Sequence, residues 1–438
     1  MIKRVSLKNF MSFDDIDLDI TDKGGRCMNH AFIYGENGSG KTNLIDSFMF
    51  LGKSSMTVTY EQSEEAEKEV IKKLLEILRT NDSSVNIRDT PRDITDLARQ
   101  YRMVDAEGNM VLRFQINIDG HDATYNLEFD EQNKIQSESL DYIVRKRRGN
   151  LFKITHDAVS LQKDLFSSSY RKEINDLLDR YWGKHTFIAI LMHESRVKND
   201  KYFNSEVSEN IRSFLRYIKS MVVVKRGETF APHRRQICLP FGTILSKDAG
   251  DLDRMQIILS KFFSRLYSDI KSVYFTKEDI GDGKIRYELY FNKKIAGKIR
   301  AIPAFRESSG TMHLMTILPL LIFCVDGKTV IMDEIDAGIH DLLMSQLISQ
   351  CIPDITGQLI ATTHDTSLMT YKDAPNIFII SIDRDGFKQI ASIQSTEPPN
   401  IKTNIQKRYI EGYYSGIPLT ADIGLRDIFE SSLKNDSR

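Results

Sequence analysis

Eight consecutive residues, Gly35-Glu36-Asn37-Gly38-Ser39-Gly40-Lys41-Thr42, carry the densest chemistry in the chain. Glycines at this spacing let backbone N–H groups wrap an anion, the lysine adds a point charge, and the Thr42 hydroxyl is a hard ligand for magnesium. The pattern suits the phosphates of a nucleoside triphosphate. Gly35, Asn37, Gly38, Ser39, Gly40, Lys41, Thr42 and Asn43 are the candidate nucleotide-binding residues. Far downstream, Val330-Ile331-Met332-Asp333-Glu334 is an apolar run that ends in two carboxylates. Asp333 is placed to hold magnesium through water, and Glu334 to polarise an attacking water.

These residues need particular elements around them. His30 to Tyr34 is a short apolar run before the glycines, read as a buried strand. Leu44, Ile45, Phe48 and Met49 follow at helical spacing. From Lys41 to Asp333 the gap is 292 residues, which suits heads in which a whole lobe is inserted between the two halves of the site. Ahead of Asp333, Glu307-Ser308-Ser309-Gly310-Thr311 heads the apolar helix Met312 to Phe323. Taken alone, Ser-Ser-Gly is a helix cap; a helix start also offers hydroxyls, free N–H groups and a dipole to an anion. Another short strand ends in Thr362-Thr363-His364, 31 residues after Asp333, and a histidine there can sense a terminal phosphate.

The rest of the chain reads coarsely. Ile2, Val5 and Leu7 alternate with charges in a first strand. Residues 61 to 79 form a charged helix with one apolar stripe. Phe114 to Ile118 and Tyr125 to Phe129 alternate about Asp119-Gly120, a hairpin. Residues 156 to 225 read as helical, and the α/β pattern returns from 236, with a helix over Leu252 to Tyr267 and strands over Lys271–Phe275, Ile285–Phe291 and Ile377–Ile382. With net charge -1, the chain as a whole is no general polyanion binder. None of the cysteines, Cys27, Cys238, Cys324 and Cys351, forms a Cys-x-x-Cys pair, which argues against a zinc ribbon and for buried thiols in a reducing cytoplasm. No signal peptide and no apolar run of about 18 residues is present, so a cytoplasmic location away from membranes is expected.

In this order and spacing the motifs resemble the ABC-type ATPase heads of the SMC, RecF and OLD group. Lys8 to Phe13 looks like their first-strand motif, Ser308-Ser309-Gly310 like their signature, Asp333-Glu334-Ile335-Asp336 like Walker B and D-loop, and Thr363-His364-Asp365 like the switch histidine. Together with Asp333 to His340, Gln358 to Asp365 and Lys407 to Pro418, the chain is similar to the bacterial AAA-family ATPases of phage defence, including abortive-infection and PARIS-type subunits. The resemblance implies an α/β fold, an ABC-type P-loop head of two lobes with an inserted helical subdomain. Lobe I is expected over 1–155, the helical insertion over 156–235, lobe II over 236–395 and a packed tail over 396–438. It further implies ATP as substrate and Mg2+ held by Thr42 and Asp333. Glu334 and His364 would be catalytic, Asp336 would serve the D-loop, and Ser308, Ser309 and Gly310 would act in trans on the site of a second copy. The implied assembly is a homodimer or a larger even-numbered homo-oligomer. The implied role is a slow ATPase, a sensor or scaffold that controls a separate effector, a nuclease or toxin. The alternative is a RecF-like repair ATPase that binds DNA when ATP is bound.

The chain departs from the pattern in places. Met11 stands where such heads often have arginine, so one phosphate contact is expected to be missing. The glutamine that links magnesium to the insertion is not identifiable; His193 is its candidate. Asp383-Arg384-Asp385-Gly386 mimics a metal-binding Asp-x-Asp but reads as a hairpin turn. The basic clusters at Arg145 to Arg148 and at Arg234-Arg235 with Lys225 and Arg226 suit a nucleic-acid backbone or an acidic partner, or are simply solvated loops.

Overall fold

A computed structural model describes residues 1–62, 93–144, 147–231, 240–370, 374–396, 403–417 and 426. The charged helix expected at 61–79 lies almost wholly outside the described residues, as do Arg145, Lys146, Arg234, Arg235, Cys238 and Pro418. Alternation builds the first sheet. In β1 (Ile2–Phe10) the apolar residues Ile2, Val5, Leu7 and Phe10 are buried while Lys8 is exposed. After β1 come β2 (Phe13–Asp19), β3 (His30–Gly35), α1 (Lys41–Ser54) and α2 (Ile94–Tyr101). A meander follows, of β4 (Met110–Ile118), β5 (His121–Phe129), β6 (Ile135–Val144), β7 (Arg147–Thr155) and β8 (Val159–Leu161). Seven strands pair in the order β2-β1-β4-β5-β6-β7-β8. Asp119 and Gly120 both take positive φ, 51° and 82°, the conformation that a two-residue hairpin with right-handed twist requires. Ile118 accordingly pairs with His121.

Four helices come next: α3 (Ser168–Tyr181), α4 (Phe187–Val197), α5 (Asp200–Glu206) and α6 (Glu209–Ser220). Then come β9 (Val222–Lys225) and β10 (Glu228–Phe230). The stretches Val159–Leu161 and Val222–Phe230 were expected to fall among helices and are strands or strand turns instead. Val222-Val223-Val224 is β-branched throughout, and its first two residues are buried, which favours an extended chain inside a sheet.

The second lobe carries β11 (Phe241–Leu245), α7 (Ala249–Leu266), β12 (Ile270–Gly281), β13 (Lys284–Ile295), β14 (Lys298–Pro303) and α8 (Ser309–Val325). After these come β15 (Thr329–Met332), α9 (Asp341–Cys351), β16 (Gln358–Thr362), β17 (Ile377–Ile382), β18 (Lys388–Ser392), α10 (Ile393–Thr396) and α11 (Ile405–Ile410). A second seven-stranded sheet has the order β10-β9-β15-β16-β3-β17-β18. Its five central strands are parallel. Side chains of these strands alternate between two cores. Ala31, Ile33, Ile331 and Ile360 face the core shared with α1 and the meander. Phe32, Tyr34, Val330, Met332, Leu359 and Ala361 face the core shared with α8 and α9. Burial on both faces is why these strands read as short unbroken apolar runs. The Gln358 amide joins the two large sheets: it accepts from Ile2 N (2.6 Å) and donates to Ile2 O (2.8 Å) and Met28 O (2.9 Å).

Besides apolar packing and the Asn210 bond to Ile143 O, a buried carboxylate fastens the helices to the meander. Glu138 is fully buried and accepts from Tyr125 Oη (2.8 Å), Trp182 Nε1 (3.0 Å), Phe187 N (2.6 Å) and Ile188 N (3.1 Å). Burial raises its pKa, although all four donors act against that shift. Glu138→Ala strands four donors in the interior and is expected to cost about 3–5 kcal/mol. Glu138→Gln should cost clearly less. Urea unfolding read by Trp182, the sole tryptophan, checks both; an alanine variant as stable as the parent would show that water reaches those donors.

Candidate functional site

Three glycines give the loop between β3 and α1 its shape. Gly35, Gly38 and Gly40 have φ of 155°, 84° and 104°, conformations that side chains disfavour. Gly40 also has no room for one, since a Cβ would stand 2.8 Å from the Phe13 ring. Gly40 caps α1, so the first free N–H groups and the positive end of the helix dipole open toward the loop. Lys41 Nζ folds back on Gly35 O (2.7 Å) and Glu36 O (3.1 Å). Burial depresses the pKa of Lys41, and Asp333, Glu334 and Asp336 push it back up. Ser39 Oγ is buried without a hydrogen-bond partner.

The carboxylates arrive from β15. Thr42 Oγ1 donates to Asp333 Oδ2 at 2.8 Å, and Thr362 Oγ1 donates to Asp333 Oδ1 at 2.6 Å. The same Thr362 hydroxyl accepts from Glu334 N at 2.7 Å. Glu334 has φ 50°, a left-handed conformation that costs a residue with a side chain about 1 kcal/mol or more. Its side chain is exposed on the loop after the strand. His364 is exposed as well, and its backbone N–H donates to Asp336 Oδ2 at 3.1 Å. Asn43 Nδ2 donates to Ser12 Oγ at 2.6 Å, which ties α1 to the β1–β2 turn.

The Ser308–Gly310 turn is built differently. Ser308 Oγ caps α8 by accepting from Thr311 N at 3.2 Å. A Cβ on Gly310 would meet Gly338 O at 2.6 Å, so the helix start lies flush on the loop that follows Asp336. Among the described residues, no hydrogen bond links Ser308, Ser309 or Gly310 to the Gly-rich loop of the same chain. His193 is not brought to this place. It meets Gln62 Nε2 at 3.3 Å, beyond the C-terminal end of α1. What does reach the carboxylates is the C-terminal end of β9, where Val224 O accepts from Asp333 N (2.9 Å). There Lys225 Nζ holds Asp46 (2.5 Å) and Glu228 (3.1 Å).

Several of these contributors carry no sequence signal. Thr362 sits in the recognised Thr-Thr-His run, but its double role shows only when β15 and β16 lie side by side. Lys388, on edge strand β18, donates to Gly38 O (2.9 Å) and Ser12 Oγ (2.7 Å). It places a cation beside the loop on the side where Met11 supplies none, and burial lowers its pKa. The C-terminal motif packs against the other side of the loop. Tyr409 stacks edge-on to Tyr34 at 5.8 Å and donates to Gly416 O at 3.0 Å. Between them lies a cavity of about 260 Å³ lined by Gly35, Glu36, Asn37, His364, Tyr409 and Ile417.

These groups fit a nucleotide and magnesium. An ammonium resting only on carbonyls is free to turn to phosphate, the buried Ser39 hydroxyl lacks a partner, and Thr42 with Asp333 presents the hard oxygens that Mg2+ prefers. The fold around them is α/β: a largely parallel sheet carries the Gly-rich loop and the carboxylates at its strand ends, a meander sheet packs on one core, and four helices lie between β8 and β9. No curated protein matches the chain. Among solved structures, the SMC head domain from Thermotoga maritima is 15% identical, with TM-score 0.40, over 89% of this chain and 98% of that one. The Smc head domain with an extended coiled coil, bound to the C-terminal domain of ScpA derived from Pyrococcus furiosus, is 14% identical, with TM-score 0.41, over 94% and 99%. The recombination mediator protein RecF is 12% identical, with TM-score 0.39, over 90% and 98%. A family model matches residues 31–370, from β3 past His364. The chain therefore belongs to the family described as AAA domain, putative AbiEii toxin, Type IV TA system.

Proposed function

We propose that this chain binds Mg-ATP at Gly35 to Asn43, hydrolyses it slowly, and serves as a cytoplasmic sensor or scaffold of an anti-phage system. ATP would join two copies head to tail, and the joined state would control a separate toxic effector. One observation carries the reading. Ser308, Ser309 and Gly310 form an anion-ready helix start that is packed on the loop after Asp336 and, among the described residues, not hydrogen-bonded to their own chain's Gly-rich loop. Such a turn is used when a second copy's nucleotide meets it. The family description names a toxin and a type IV toxin–antitoxin system, which supports a role in controlled toxicity.

In this reading Lys41 leaves its two carbonyls for the β- and γ-phosphates, while Ser39, Asn43 and the loop N–H groups orient the chain of phosphates. Mg2+ held by Thr42 and Asp333 would neutralise charge on the phosphate oxygens. Glu334 accepts a hydrogen bond from the attacking water and turns its lone pair toward phosphorus. His364 contacts the terminal phosphate and reports its loss through its backbone bond to Asp336. Thr362 is a positioning residue that fixes Asp333 and the Glu334 backbone together.

Glu334→Gln is expected to bind ATP without turning it over and to double in mass on adding Mg-ATP, measured by light scattering. Unchanged mass in a variant that holds ATP would sink the shared-site reading. Lys41→Ala should bind no nucleotide. Thr362→Val should lose about 10- to 100-fold in turnover while its affinity for ATP stays within about threefold, the signature of an outer-shell orienting group. For the cellular role, the chain expressed alone should be harmless, and its locus should protect a host from phage unless Lys41 is mutated. Growth arrest by the chain alone would make it the toxin itself and remove the separate effector.

A further inference from the structure

A second concave site lies at the other end of β1 from the Gly-rich loop, roughly 30 Å away at about 3.3 Å per strand residue. It is a cleft of about 640 Å³, within the usual range of small-ligand pockets of about 300–1,000 Å³. Met1, Lys3, Arg26, Arg147 and Arg148 line it, and Asp122 is its one carboxylate among the described residues. Four side-chain cations thus face one anion. In a chain of net charge -1, this is a local concentration of charge; the exposed Asp14, Asp15, Asp17 and Asp19 of β2 stand outside it.

The pairing of these cations is incomplete. Lys3 holds Asp122 at 2.7 Å and Arg26 holds Asp22 at 2.8 Å. Among the described residues the Arg148 side chain donates to the neutral Thr124 hydroxyl and forms no ion pair, although its charge helps lower the pKa of Asp122. Arg147 pairs with Val144 through the backbone, and its exposed side chain makes no ion pair or hydrogen bond among the described residues. The Met1 ammonium donates to Asn117 O at 2.7 Å, and burial lowers its pKa to about 6. Guanidinium forks with free donors, converging on a concave surface, match phosphate oxygens in geometry and charge. With Lys3 and Arg26 paired, the two guanidiniums of Arg147 and Arg148 remain without an ion pair among the described residues, and they suit a ligand with more than one negative charge.

We propose that this cleft is a second anion site that takes the phosphate of a nucleotide, either free or at the end of a nucleic-acid strand. It is independent of the ATPase reading, because none of its residues touches the Gly-rich loop or Asp333.

The test uses Lys41→Ala protein, so that the Gly-rich loop is silent. Fluorescence anisotropy follows a single-stranded oligonucleotide with a 5′-phosphate and the same strand without one, with ATP as competitor. Binding of the phosphorylated strand should weaken at least about tenfold in Arg147→Glu/Arg148→Glu and fall steeply with salt. Displacement by ATP identifies a free nucleotide as the ligand. Preference for the 5′-phosphate without displacement identifies a strand end. Arg147→Ala removes an exposed side chain with no hydrogen bond or ion pair among the described residues, so it repeats the test at little risk to folding; it should weaken binding several-fold, with an unchanged Trp182 emission spectrum. No binding of any probe at low salt, or binding indifferent to both variants, would overturn the proposal.

Discussion

The Asp333 carboxylate is the point to which the two halves of the molecule are tied. One of its oxygens takes the Thr42 hydroxyl from the start of α1, and the other takes the Thr362 hydroxyl from the end of β16. Each hydrogen bond to a charged group contributes about 1.5–3 kcal/mol. Thr362 adds a third link by accepting from Glu334 N. Residues separated by 291 positions along the chain are thereby held at 2.8 Å. Glu334 is carried into a left-handed backbone conformation at the same place. A strained residue persists only where its neighbours over-determine it; here the neighbours are a hydroxyl acceptor for its own N–H and the Thr362 carbonyl, which accepts from Ile335 N.

That geometry is possible because the parallel sheet is a wall between two cores. Met332 pairs with Ala361 and Thr362 pairs with Ile33, so the strand ends carrying the loop, the carboxylates and the histidine finish on one edge. In parallel sheets whose strands are covered on both faces, ligands gather at these carboxyl ends. Gln358 closes the opposite edge by taking the place of a strand partner for Ile2. The wall cannot tilt against the first sheet without breaking the two buried hydrogen bonds between Gln358 and Ile2.

Much of this was legible in the sequence. The glycines, Lys41 and Thr42 announce a phosphate loop because the conformations they need are available to few other residues. The runs Thr329–Met332 and Ile377–Ile382 appear as strands with the boundaries expected from apolar run length, and Asp383–Gly386 is a hairpin turn in which Asp383 Oδ1 accepts from Asp385 N and Phe387 N. What stayed hidden depends on long-range pairing. Val222–Lys225 resembles a helix end until β15 lies beside it, and His193 resembles a site residue until α4 is seen to pack past the far end of α1. Lys388 is one lysine among sixty basic residues; only the register of β17 with β18 carries it to Gly38.

The contact of Gly310 with Gly338 bears on how the two halves of the site communicate. The two backbones are so close that even a methyl group would overlap, so a shift of the start of α8 presses directly on the loop from Asp336 to Gly338. Asp336 passes any such motion on, because its Oδ2 holds the His364 backbone N–H at 3.1 Å. Its Oδ1 is buried and unpartnered, a costly state that a small shift can relieve. In the dimer proposed above, a second copy pressing on Ser308–Gly310 would act on the histidine of the same chain as well as on the phosphate across the interface. Coupling of that kind needs two arrangements of a packed element and no distant relay. Here it needs one pair of glycines and one aspartate.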